Sequence, residues 1–90
     1  MMPGSNPYRI EYLDSVVDDD IPMLPKVVKQ TIKKAIEARL MTDPIGFGKP
    51  LRYSLKGHRR LRVGDYRVVY RIEVPVVVIV AIKHRKEVYE

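Results

Sequence analysis

The dipeptide Gly64-Asp65, set within the stretch KGHRRLRVGDYRVVY from Lys56 to Tyr70, constrains the fold of this chain more than any other feature. The stretch reads as two β-strands joined by a two-residue loop, because glycine accepts the positive φ that tight hairpin turns require. If Gly64 and Asp65 form the loop, the pairing follows by counting. Val63 faces Tyr66, Arg62 faces Arg67, Leu61 faces Val68, and Arg60 faces Val69. Side chains alternate between the two faces of a strand. One face therefore carries His58, Arg60, Arg62, Arg67, Val69 and Arg71. The other carries Leu61, Val63, Tyr66, Val68 and Tyr70, a sensible core surface. Arg59 is the one charge on that side, near the strand start and within reach of water.

Folding alone does not account for the basic face. Like charges directly opposite each other across a strand pair are destabilising, where favourable pairs contribute roughly 0.2–1 kcal/mol. Arg62 opposite Arg67 is such a pair, and an anionic ligand is expected to offset it. The plain alternative is a solvated face whose arginines splay into water. A polyanion-binding face is the better reading. The net charge of the 90 residues is +6, and its distribution points the same way. Arg52 to Lys86 holds ten Lys/Arg and two Asp/Glu, a net +8, while the remainder is acidic at −2. Such clustering is the usual footprint of nucleic-acid binding, although it also suits an acidic protein partner or a membrane surface.

Ninety residues allow one small domain with a modest core. The start, MMPGSNP, is read as a flexible tail over residues 1–7, and 8–90 as a single domain. It lacks the regions of a secretory signal. With no cysteine, neither a disulfide framework nor a thiolate zinc site is possible, which fits a reducing cytoplasm. No apolar run reaches the length of a membrane span.

Tyr8 to Tyr12 alternates and is rich in strand formers. Asp14-Ser15 is placed to cap one or two helical turns, and the run Asp18-Asp19-Asp20 is read as solvated, near a helix N-terminus, rather than as a metal site. Pro25 to Met41 is the clearest helix. Pro25 suits the first helical position, and Leu24, Val28, Ile32, Ala35, Ile36 and Leu40 recur at helical spacing. Lys26, Lys29, Lys33 and Lys34 form a solvated face or a contact for phosphate or a partner. Pro44 ends the helix, and Ile45 to Pro50 reads as a loop. Leu51 to Leu55 is expected to start a short strand. Val74-Pro75 marks a turn or an edge. Val76 to Ile82 is the nearly continuous apolar run of a strand covered on both faces. The order implies an α+β fold, with the long helix on one face of a mostly antiparallel sheet and the basic residues on the other face or at one end.

The chain has no CxxC, HExxH or Walker motif, and neither a metal nor another cofactor is expected. His58 and His84 are its only histidines, plausible as acid–base groups and equally plausible as plain surface residues. RNA cleavage is a reaction that such a residue set supports. The nucleophile is the RNA's own 2′-hydroxyl. Arginines stabilise the developing phosphorane charge, and a tyrosine stacks on a base to hold the nucleotide in line. Arg60, Arg62, Arg67, Arg85, His58 and Tyr89 are of the right types.

LKGHRRLRVGDYRVVYRI, followed by an apolar strand and the terminal HRKEVY, resembles the RelE-type toxins of the RelE/ParE superfamily. The resemblance spans roughly Tyr8 to Tyr89 and is most specific in RLRVGDYRVVY and HRKEVY. It implies a compact α+β fold with a twisted sheet and two helices. It also implies ribosome-dependent cleavage of mRNA in the A site, cytoplasmic action and neutralisation by a RelB-like antitoxin. By position, Arg67 matches the family's phosphate-stabilising arginine and Tyr89 its base-stacking tyrosine. Arg85, or else His84, matches the C-terminal acid. His58 and Arg60 stand where family members carry lysines. Arginine is a poor general base, so His58 is the natural substitute, or cleavage relies on electrostatics and the ribosome. Arg62, with Lys83, His84 and Lys86, is expected to contact RNA. Two alternatives remain: a ParE-like inhibitor of DNA gyrase without nuclease activity, and a relic that keeps the fold but little catalysis.

Overall fold

A computed structural model of the chain describes residues 7–52 and 56–87. Residues 1–6 of the expected tail, Tyr53 to Leu55 of the expected short strand, and Tyr89 lie outside the described residues. The strands are β1 (Arg9–Tyr12), β2 (Lys49–Pro50), β3 (Arg59–Val63), β4 (Tyr66–Glu73) and β5 (Val76–His84). Among the described residues they form one five-stranded sheet in the order β1-β5-β4-β3-β2. β1 runs parallel to β5, and the other three pairings are antiparallel. The fold is α+β, and the sheet is mixed but mostly antiparallel.

The central hairpin follows its turn chemistry. Gly64 adopts φ +58°, and the register pairs Val63 with Tyr66, Arg62 with Arg67, Leu61 with Val68 and Arg60 with Val69. On one face Leu61, Val63, Val68 and Tyr70 join Val77, Ile79 and Ile82 of β5 in the main core. The helix α1 (Lys26–Ala35) and the wider helical turn that continues it over Ile36–Leu40 cover this face. Their buried residues Ile32, Ala35, Ile36 and Leu40 are those of the apolar periodicity. Pro25 differs from expectation. Its ψ of 149° is extended, so it caps the helix from outside and Lys26 opens it.

The segment after α1 is not the plain loop expected. Pro44–Phe47 forms one helical turn, α2. The Gly46 N–H donates to the Asp43 carboxylate at 2.9 Å. Asp43-Pro44 thus acts as a helix start, an acidic cap followed by proline in the first turn, as well as ending α1. β2 then begins at Lys49, ahead of the expected Leu51.

Two charged residues have structural roles that the sequence hid. Asp18 and Asp19 are exposed, but Asp20 is buried. β1 pairs with β5 only as far as Ile79. Beyond that point the Ile82 N–H donates to the Asp20 carboxylate at 2.8 Å, and Lys83 Nζ donates to its other oxygen at 2.8 Å. The carboxylate stands in for the strand that has ended, which satisfies a buried donor whose loss of a partner costs about 1–3 kcal/mol. The reading of this run as wholly solvated is therefore corrected. Arg59 is the second case. It does not run to water, because its guanidinium donates to the carbonyls of Ile45 (2.7 Å) and Gly48 (2.8 Å). Beside it the fully buried Tyr70 donates its hydroxyl to the Pro44 carbonyl at 2.5 Å. Burial raises the Tyr70 phenol above its ordinary value of 10.0, and the neighbouring Arg59 opposes that rise.

Candidate nucleic-acid interface

The other face of the sheet is built from the alternate residues of the same strands. A small apolar floor of Leu51, Val69 and Ala81, with Val80 packed against it, lies there. Around it the register sets cations in rows. One row runs Arg62–Arg67–Lys83 across β3, β4 and β5. The next runs Lys49–Arg60–Val69–Ala81 across β2 to β5. Rows two residues apart lie about 6.7 Å apart along the strands, and neighbouring strands about 4.8 Å apart.

Arg67 is half-buried and Arg62 exposed, and among the described residues the side chain of neither has a hydrogen bond or ion pair. Arg71, on the same face, is different: its Nε pairs with the Glu73 carboxylate. The basic field is thus concentrated at the turn-side end of the sheet. Two directly opposed arginines, with no carboxylate paired to either among the described residues, are chemically suited to a phosphate, whose charge would offset their mutual repulsion.

The other expected site residues fall unevenly around this centre. Arg60 lies one row from Arg67 on the same face. Arg85 sits beside the hairpin turn, where its N–H donates to the Asp65 carbonyl at 2.7 Å. Its exposed guanidinium lies 3.7 Å from the Asp65 carboxylate, an exposed pairing of at most about 1 kcal/mol. Lys83 is level with Arg67, but its ammonium is held by Asp20. His84 pairs across from Tyr66, and their rings meet edge to face at 5.1 Å. This places His84 on the helix-covered side, with its Nδ1 accepting the Lys86 N–H at 3.2 Å. Lys86 is exposed in the turn after β5. Continuing the β3–β4 register sets His58 level with Arg71, about 13 Å along the strands from Arg67. Its Nδ1 is buried and without a partner among the described residues. There it borders a cavity of about 160 Å³ with Pro50, Arg59 and Ile72. The structure therefore brings Arg60, Arg62 and Arg67 together with Arg85 close by, and it sets His58 and His84 apart from them. Lys49 was not among the expected residues. Its place beside Arg60 depends on a β2–β3 pairing that no turn motif announces.

The chain matches, over residues 11–89, the family described as ParE toxin of the type II toxin–antitoxin system parDE. Toxin RelG of Mycobacterium tuberculosis is 33% identical over 85 residues, covering 92% of this chain and 97% of the relative. Toxin RelE of the same organism is 33% identical over 72 residues, covering 80% and 73%. The structure superposes on a chain of the toxin–antitoxin complex RelBE2 from M. tuberculosis with a TM-score of 0.81, 32% identity and coverage of 89% and 93%. The archaeal RelE–RelB complex from Pyrococcus horikoshii gives 0.68, 26% identity and coverage of 91% and 99%. With the α+β fold, the cation rows and a family match over nearly its whole length, this chain belongs to the type II toxin–antitoxin toxins of the RelE/ParE superfamily.

Proposed function

We propose that this toxin is a ribosome-dependent mRNA endonuclease that cuts in the A site by attack of the ribose 2′-hydroxyl on the adjacent phosphate. The observation that carries this reading is the facing pair Arg62–Arg67, uncompensated among the described residues and flanked by Arg60. Arg67 meets the phosphate as charge develops on it. Preorganised donors of this kind contribute about 10²–10³-fold in rate. Arg60 and Arg62 hold the strand on either side of it. Arg85 supplies a further cation at the leaving oxygen, and Tyr89 stacks on a base. His58 takes the 2′-proton only if its side chain swings along β3. Otherwise a ribosomal group or water takes the 2′-proton, and the arginine field stabilises the negative charge that develops. Lys86 contributes to the outer field, whereas the Lys83 charge is paired with Asp20 and His84 faces the covered side. The reaction takes place in the cytoplasm, where ribosomes are.

The antitoxin is the second partner. Relatives of this fold are described in complex with RelB antitoxins. A groove of about 270 Å³ runs beside α1, lined by Tyr12, Leu24, Lys29, Ile32, Lys33 and Ile36. Met23 and Val27 are exposed at 82% and 73% on the first turn side. An apolar groove edged by lysines suits an acidic amphipathic helix of the antitoxin. Weakening of the complex by salt is the expected sign of that charge match, and a salt-insensitive complex would contradict it.

The deciding experiment is primer extension on mRNA from translating ribosomes, with wild-type protein and Arg67→Ala. Cuts at A-site codons that vanish in the variant are the expected result. A second reading, gyrase inhibition, is favoured by the ParE description of the matching family. Folded toxin that leaves mRNA intact and blocks DNA supercoiling would establish it instead.

A further inference from the structure

β2 is only two residues long, yet its position is fixed from several sides. The Leu51 N–H donates to the His58 carbonyl at 2.9 Å. Arg59 holds the carbonyls of Ile45 and Gly48. The Tyr70 hydroxyl passes beneath Gly48 to reach Pro44, so closely that a Cβ at Gly48 would stand 1.7 Å from that oxygen. These ties are made by backbone groups and by side chains of the core face. They leave Lys49 directly opposite Arg60 and so on the same face as it. The Lys49 side chain is exposed and, among the described residues, has no hydrogen bond or ion pair. It is thus a cation on a pinned backbone, at the outer end of the row next to Arg62–Arg67–Lys83.

We propose that Lys49 is a positioning residue for the RNA. It holds a backbone phosphate away from the scissile bond and guides the strand across Arg60 onto Arg67. The inference rests on the endonuclease reading and extends its track by one strand, to the sheet edge. The chemistry suits a lysine, because an ammonium on a flexible stem is a point charge that accepts a phosphate in many orientations. About 12 Å of sheet separates the Cα of Lys49 from that of Arg67, two strands and one row. Lys49 therefore binds without touching the reacting atoms. Edge lysines also prevent edge-to-edge pairing of sheets, a role that leaves cleavage kinetics untouched and so is separable.

The test is single-turnover cleavage of A-site mRNA on programmed ribosomes, titrated with toxin at several KCl concentrations and fixed magnesium. Wild type is compared with Lys49→Ala, Lys49→Arg and Arg39→Ala, the last removing an equal charge from the exposed end of the α1 extension. In Lys49→Ala the half-saturating concentration is expected to rise about two- to fivefold, the range of one exposed charge pair, with the maximal rate unchanged. The slope of log affinity on log salt becomes shallower by about 0.7, the value for one phosphate on a single strand. Lys49→Arg restores both readouts, and Arg39→Ala moves neither. Wild-type half-saturation and slope in Lys49→Ala would overturn the assignment while leaving the endonuclease reading intact. So would a fall in maximal rate alone. Wild-type toxin that cuts nothing would overturn the endonuclease reading and the Lys49 assignment with it.

Discussion

Arg59 and Arg60 are neighbours on one strand, and alternation sends them to opposite fates. Arg59 turns toward the core face, where the carbonyls of Ile45 and Gly48 occupy its guanidinium. Arg60 turns to the other face, beside Lys49 and one row from Arg62 and Arg67. The same division runs through the whole sheet. The helix-covered face is mostly apolar, and Tyr70 and the terminal nitrogen of Arg59 are hydrogen-bonded to carbonyls, so its side chains stabilise the fold. On the basic face Arg62 and Arg67 oppose each other, so this pair is expected to cost stability and to gain it back only when an anion binds. A variant that breaks this rule on either face tests the division directly.

The largest effect is expected on the covered face. Leu40 is fully buried in the main core. Leu40→Ala should lower unfolding free energy by about 2–5 kcal/mol, the lost transfer term plus the cavity left behind. Urea unfolding followed by circular dichroism measures it. In a domain of this size such a loss is a large share of the stability, so a change under 1 kcal/mol would show that this face is not the core it is taken for.

Arg67→Ala is the counterpart on the basic face. A-site cleavage should fall by about 10²–10³-fold, measured by primer extension, with a melting temperature equal to or above that of wild type. A melting temperature that drops by several degrees would show Arg67 to be structural and would remove the contrast between the faces.

The next effect is smaller and sits at the sheet edge where the two faces meet. Asp20→Ala leaves the Ile82 N–H without its acceptor and frees Lys83. An unsatisfied buried donor costs about 1–3 kcal/mol. Asp20→Asn keeps an acceptor for the N–H and loses only the negative charge that faces Lys83, so it should cost less. Comparing the two by thermal melts separates the backbone bond from the ion pair. Equal losses would mean that the ion pair, not the strand-like hydrogen bond, is what Asp20 provides.

The covered face was the more legible in the sequence. Its strands are set by a two-residue turn and strict alternation, and α1 by apolar spacing, all local signals within a dozen residues. The basic row was legible for the same reason, since Arg62 opposite Arg67 follows from Gly64-Asp65 alone. What stayed hidden depends on contacts distant along the chain. Asp20 meets Ile82 across 62 residues, and nothing in Asp18-Asp19-Asp20 distinguishes the buried carboxylate from its exposed neighbours. Arg59 is held by carbonyls in a turn that read as loop. The parallel pairing of β1 with β5 has no turn to announce it. His84 shows the limit of residue type as a guide. It is chemically fit for acid–base work, and the β5 register turns it to Tyr66 on the covered side.

The smallest effect carries the most information because its sign is unusual. Arg62 and Arg67 are a directly opposed like-charged pair, exposed on one side and half-buried on the other. Arg62→Gln keeps most of the aliphatic stem that covers the strand and removes one charge. Relief of the repulsion should raise unfolding free energy by a few tenths of a kcal/mol, up to about 1 kcal/mol. The gain should be larger at low ionic strength, where screening is weakest. The same substitution should weaken cleavage, because the phosphate loses one of its flanking cations. A rise in melting temperature that shrinks as salt is added, together with poorer cleavage, would identify a face in which folding stability has been given up for anion binding. A fall in melting temperature would mean that the arginines on this face are held by packing, and that the two faces of the sheet obey one rule after all.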